Sequence, residues 1–271
     1  MEIDRRALIE RLDAAERHSF VSLYRNAPPE LEAGMREDGP VLFGWMPTCH
    51  DPGFSGALDF WRAADLDATL ERMIAVFREH GVPFIGLATH PHQPAYVDDA
   101  WFAERGFAPH YAEQVMWRTL EEIEPADEPD GVRIRRAERD DAERFVTVLN
   151  AGFGEPVDDG LGRAFAACIG ERGWRHYLAL VDGEAGAAAA MFVDDRTSTA
   201  SFFAASTLPQ ARRRGAQTSL IRRRLADSAS LGCEIAACQA VLDSASPRNF
   251  ERQGFYPLYR RTIFAKSLAD R

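Results

Sequence analysis

The strongest constraint on this chain is that it closes the same way twice. Gly106 to Leu120 reads GFAPHYAEQVMWRTL, and Gly254 to Leu268, 148 residues later, reads GFYPLYRRTIFAKSL. The strings share Gly, Phe, Pro, Tyr and the final Leu in place, with like-for-like pairs at Val115/Ile263, Arg118/Lys266 and Thr119/Ser267. Two strand-ending turns can agree by chance, but the elements leading into them also agree in order, which favours duplication with fusion. A chain of 271 residues has room for two such units. Between them lies EEIEPADEPDG, Glu121 to Gly131, acidic, proline-bearing and with almost nothing to bury. The chain therefore divides into a first domain over 1–122, a linker over 123–130 and a second domain over 131–271.

The second domain is the easier to read. GVRIRRAERD alternates like a strand, with Val132 and Ile134 on one side. Asp140 with Glu143 reads as a capping box opening a helix through Phe145, Val148 and Leu149, ended by Gly152 and Gly154. A further helix is expected near Leu161 to Ile169. HYLALVDGEAGAAAAMFV reads as a hairpin turning at Asp182-Gly183, residues that tolerate positive φ. TASFFAAST is the next strand, and a long helix runs from Gln217 to Ser230. EIAACQAVL, SPRNFERQ and YRRTIFAK supply a buried strand, a short helix and a closing strand. This order predicts an α/β protein with a mixed sheet covered by helices. The first half repeats its tail: a helix from Asp65 to His80, the strand VPFIGLAT, a short helix near Val97 to Arg105, and the GFAPHY turn with its strand.

Charge narrows the function classes. A net charge of −10 argues against a nucleic-acid binder, which needs a basic field; an acidic surface suits a cationic substrate or simply solubility. Cys49, Cys168, Cys233 and Cys238 lack metal-ligand spacing, so no metal site or disulfide framework is expected. The N-terminal MEIDRRALIERLDAAER is a charged amphipathic helix with Leu8, Leu12 and Ala15 on one face. It resembles no secretion signal, and no later run is long enough for a bilayer, so a soluble cytoplasmic protein is expected.

One stretch concentrates the chemistry. STLPQARRRGAQTSLIRRRLA places six arginines within thirteen residues around the start of the long helix. First-turn N–H groups lack partners inside a helix, the dipole adds positive character there, and Gly215 lets a ligand approach the backbone. These arginines either pair with carboxylates on a solvated face or mark a site for a multiply phosphorylated ligand.

The stretch resembles motif A of the GNAT superfamily of acetyl-CoA-dependent N-acyltransferases, which reads Arg or Gln, two residues, Gly, one residue, Gly or Ala. Here it stands as Arg212-Arg213-Arg214-Gly215-Ala216-Gln217, with Gln217 departing from the last position and Thr207-x-Pro209 preceding it. The resemblance extends from Gly131 to Lys266 and includes the closing Asn249 to Gly254-Phe255. It implies two GNAT-like domains and acetyl-CoA as cosubstrate, with pyrophosphate on the N–H groups of Arg214 to Thr218. Pantetheine is then expected along Ala205, Ser206 and Thr207, with Asp243 and Asn249 nearby.

Family members often use a tyrosine to protonate the leaving thiolate; the matching residue here is Phe250, and Asp243 stands where an asparagine often contacts pantetheine. Tyr256 and Tyr259 read as packing residues. Candidate bases are Glu155 in GFGEP, His176, and Asp194 or Asp195, each equally readable as a structural residue. The first half has no Arg-x-x-Gly loop. Asp65 and Asp67 occupy the helix start where phosphates would bind, so this half reads as a degenerate GNAT-like domain. It is expected to complete an intramolecular pseudo-dimer with the second half in a monomer, the alternative being a homodimer, and to wall the acceptor pocket. Trp45, Trp61, His50, His90 and His92 are candidate wall residues, or ordinary core and loop residues. The resemblance implies acetyl transfer to an amine of a small molecule. The alternatives are a non-catalytic acyl-CoA sensor, or acylation of a protein N-terminus or lysine.

Overall fold

A computed structural model describes residues 4–121, 123, 128–156 and 159–269; residues 124–127 of the expected linker lie outside them. The first half runs α1 (Arg5–Asn26), β1 (Gly34–Asp38), β2 (Val41–Trp45), β3 (Gly56–Leu58), α2 (Leu66–Glu79), β4 (Phe84–Ala88), α3 (Asp99–Glu104) and β5 (Ala108–Thr119). The second runs β6 (Val132–Arg136), α4 (Ala142–Phe153), α5 (Gly160–Ala167), β7 (Trp174–Val181), β8 (Glu184–Asp194) and β9 (Thr199–Thr207). It continues through α6 (Ala216–Ser230), β10 (Ile235–Val241) and α7 (Ser246–Glu251) to β11 (Tyr256–Ser267).

Local chemistry accounts for most of these elements. Asp182 and Gly183 adopt φ of 52° and 92°, the turn that matches the twist of the β7–β8 hairpin. Gly154, at φ 84°, ends α4. The start of α4 corrects the expected capping box. Asp140 and Glu143 do not form it; a preceding 3-10 turn is instead tied by Asp141, which accepts from the Glu138 N–H at 3.0 Å and is clamped by Arg135 through two 2.6 Å bonds. Leu8, Leu12 and Ala15 are buried on one face of α1, as the pattern demands.

The sheet does not stop between the halves. Among the described residues eleven strands form one sheet in the order β1-β2-β3-β4-β11-β5-β10-β9-β8-β7-β6. The closing strands are exchanged: β5 pairs with β10 of the second half, and β11 with β4 of the first, both antiparallel. The repeated strings are these exchanged strands, and they pair with each other at the centre. Glu113 and Arg261 hold the same place in the two strings and face each other across the ladder. The local two-fold relation therefore passes through that pair. The irregularities obey it too: the skipped positions are Leu258 and its counterpart His110.

The exchange is held by a buried ion triad. Arg261 donates to both carboxylate oxygens of Glu16 at 3.0 and 3.1 Å and to Glu113 at 2.8 Å. Around it, α1 packs Leu8, Ile9 and Leu12 against Val115, Ile235 and Tyr259, covering the seam between the halves.

Two further features position the site. Strands β9 and β10 are parallel and pair only from Thr199↔Ile235 to Phe202↔Cys238; beyond that they part. Just past this point β9 bulges against β8, so that Ala190↔Phe203 is followed by Ala188↔Ser206. Ala204, with φ 46°, and Ala205 are left outside the ladder. Arg224 of α6 is fully buried beneath the bulge, 4.4 Å from the Phe202 ring centre, and donates to the Ala190 carbonyl at 3.1 Å.

Candidate active site

The parting of β9 from β10 opens into a cavity of about 1030 Å³ that continues across the seam to the first half. At one end is the start of α6. Gly215, at φ 86°, is its N-cap residue and offers no side chain to the first turn, so these N–H groups stay available. Gly215, Ala216, Gln217 and Thr218 line the cavity, and Arg213 beside them adopts φ 62°. A Cβ on Gly215 would meet Pro129 Cγ at 2.8 Å. The corresponding start of α2 is closed: Asp65 caps it by accepting from Ala68 N–H at 3.0 Å, and Asp67 pairs with Arg105 at 2.6 Å.

Placement of the expected cofactor residues divides them. Ala205, Ser206, Thr207, Arg212, Arg213, Gly215, Ala216, Gln217, Thr218 and Asn249 all line the cavity. The Ser206 hydroxyl donates to the Val148 carbonyl at 3.1 Å, and the Thr207 hydroxyl meets the Gln217 Oε1 at 3.4 Å, linking the strand end to the helix start. Arg214 is not in the wall; its guanidinium grips both oxygens of Asp182 at 2.9 Å at the hairpin turn. Asp243 is exposed and also outside the lining. The second arginine triplet is spent elsewhere: Arg222 on Gln253, Arg223 on Asp227, and Arg224 inside the core.

The expected bases part in the same way. Glu155 is half-buried in the wall. His176 is a correction: it is 1% exposed, packed between the rings of Phe145 and Trp174, and outside the lining. Desolvation pushes its pKa down to about 3, so it stays neutral and has no route to a substrate proton. The strand alternation that buries it was visible in sequence; its side of the sheet was not. Asp194 pairs with His18 at 2.9 Å, and Asp195 pairs with Arg172 at 3.4 Å; both stand outside the wall. Phe250 lines the cavity and packs edge-on against Phe255 with ring centres 4.9 Å apart.

The far end of the cavity belongs to the first half and is acidic, with Glu16, Asp51 and Glu113 in its wall. Burial pushes the Asp51 carboxyl pKa up. Its partners are the Gly53 N–H at 2.8 Å and the Tyr111 hydroxyl at 2.9 Å. His50 stands at the junction, its Nδ1 2.6 Å from Asp159 Oδ2, and the ligand-type atoms of His50, Glu155 and Asp159 lie within 4.8 Å of one another. Trp45 packs in the first-half core on Phe77. Trp61 stacks on His90 and meets His92 edge-on, outside the wall. No local motif announces the Asp159–His50 contact, because 109 residues separate the pair.

No protein-family model matches the sequence, and comparison with curated proteins finds no match. Solved structures do match. A GCN5-related N-acetyltransferase from Kribbella flavida superposes with a TM-score of 0.65 at 15% identity, over 94% of each chain. One from Sphaerobacter thermophilus gives 0.59 at 16%, over 88% of this chain and 76% of that one. A tandem GNAT protein from the clavulanic acid biosynthesis pathway gives 0.55 at 15%, over 85% and 79%. At these identities the likeness is one of fold.

Proposed function

We propose that this chain, which has the tandem GNAT fold, transfers an acetyl group from acetyl-CoA to the amine of a small cationic molecule. One observation carries the reading: a single cavity joins an uncapped helix start and a parted strand pair to an acidic chamber. The residues fit the nucleotide end of the cosubstrate, because the first turn of α6 presents free N–H groups beside Arg212 and Arg213. Bound there, acetyl-CoA would supply the activated acyl group as a thioester. The exposed backbone at Ala204 and Ala205 suits the pantetheine arm and a carbonyl oxygen. Glu16, Asp51 and Glu113 against Arg261 leave the acceptor chamber with an excess of carboxylates, which favours an ammonium-bearing acceptor. The mutual pairing of β5 and β11 supports a chain that acts as its own pseudo-dimer.

Phe250 favours a second reading, a non-catalytic acyl-CoA sensor, since it cannot protonate a thiolate. Binding and turnover separate the two. Acetyl-CoA at a hundredfold excess over Kd should stabilise the protein by about 2.7 kcal/mol in thermal melts. Gly215→Glu should erase that shift by putting a carboxylate at the helix start and a side chain against Pro129. Thiol release across a panel of amines supports transfer; a protein that binds but releases no thiol with any amine is a sensor.

A further inference from the structure

We infer that the first half supplies the base of the reaction: His50, oriented by Asp159, takes the proton from the acceptor ammonium. The inference rests on the transferase reading and deepens it. His50 belongs to the loop after β2, and Asp159 caps α5, so the dyad spans the two halves. Asp159 is 2% exposed and its oxygens are fixed by the Leu161 N–H at 2.8 Å and the His50 N–H at 3.0 Å. Gly160 N–H donates to the Thr48 carbonyl at 3.0 Å, pinning the loop to the helix start. The carboxylate therefore cannot follow the ring; the ring is held to it.

With Nδ1–H donating to Asp159, the lone pair sits on Nε2, the arrangement a base requires. His50 lines the cavity and its side chain keeps 64% exposure, unlike His176. Titratable groups come to this part of the molecule from three sides: Asp159 and Glu155 from the α4–α5 connection, Asp51 and Cys49 from its own loop, and His110 and Tyr111 from β5. Three of these, Asp159, Glu155 and Asp51, are carboxyl groups, which draws a cationic amine toward the ring, while burial keeps the Cys49 thiol and the Tyr111 hydroxyl neutral.

The step balances. The ammonium passes one proton to Nε2, and its freed electron pair forms the C–N bond as the C–S bond breaks. The second N–H proton goes to the departing sulfur, and the imidazolium returns its proton to water. Ammonium and thioester become amide, thiol and one proton.

The test is His50→Gln in the full-length chain with the best amine of the panel. kcat should fall by about 10²-fold or more, while the acetyl-CoA thermal shift stays unchanged. Asp159→Asn keeps a capping side chain but offers the wrong hydrogen-bond partner, so it should lose a similar factor with the shift intact. A His50→Gln enzyme retaining more than about a third of wild-type kcat removes the base and leaves the transferase reading standing. A wild type that binds acetyl-CoA and acetylates nothing removes both. One equivalent of divalent metal in the purified protein, with activity lost to a chelator, would overturn the dyad by making His50, Glu155 and Asp159 a metal centre.

Discussion

Arg261→Met should cost the fold on the order of 3–5 kcal/mol at neutral pH, read as a shift in denaturation midpoint at constant slope. Arg261 is the partner of two buried carboxylates, and the substitution leaves both without a counter-charge at the centre of the sheet. The pH dependence has a definite sign. Burial already raises the Glu113 carboxyl despite Arg261; without the guanidinium it rises further. A carboxyl whose folded pKa exceeds its unfolded value binds more protons when folded, so stability falls as pH climbs through that window. The variant's deficit should therefore be largest near pH 7 and shrink toward about pH 5. Adding Glu16→Gln and Glu113→Gln should return most of the loss, since uncharged partners no longer need the cation. A deficit that grows on acidification would exclude buried carboxylates as its cause.

What could be read in the chain and what could not follow from the range of each interaction. The α6 seat was legible because it is local: a glycine at positive φ, a helix start and flanking arginines fit within a few residues. Even there, Arg212 and Arg214 looked equivalent, and only the approach of the Asp182 turn separates them. The second-half elements were legible because their periodicity and turn residues are strong. Strands β1 to β3 were not: they span five, five and three residues, are interrupted by Gly44 and Gly56, and gain their order from neighbours. The acceptor chamber was illegible for a related reason. His50 meets Asp159, and Glu16 meets Arg261, across more than a hundred residues, and no spacing rule connects them. The repeat itself was plain, yet pattern alone does not choose between a strand folding back onto its own half and one crossing to the other.

That choice yields the last and largest expectation: neither half folds alone. Residues 131–271 by themselves keep β10 and β11 but lose β5, which lies between them, and β4, which flanks β11. Two copies of the second half could exchange their closing strands in the same way, as repeats and swapped dimers do. The on-axis position opposes it. Self-exchange would set Arg261 against Arg261, where the intact chain sets it against Glu113, and would also remove Glu16. Like charges opposed inside a sheet destabilise the pairing, most of all when buried. Expressed separately, each half should be aggregated or lack a cooperative melt; co-expressed, 1–121 and 128–271 should purify as a one-to-one complex with a single transition. A folded, monomeric second half in light scattering, with β11 turned back beside β10, would mean that the exchange is not what holds this molecule together. The opposite charges at Glu113 and Arg261 give the duplicated ending its direction: each closing strand prefers the other's copy to its own.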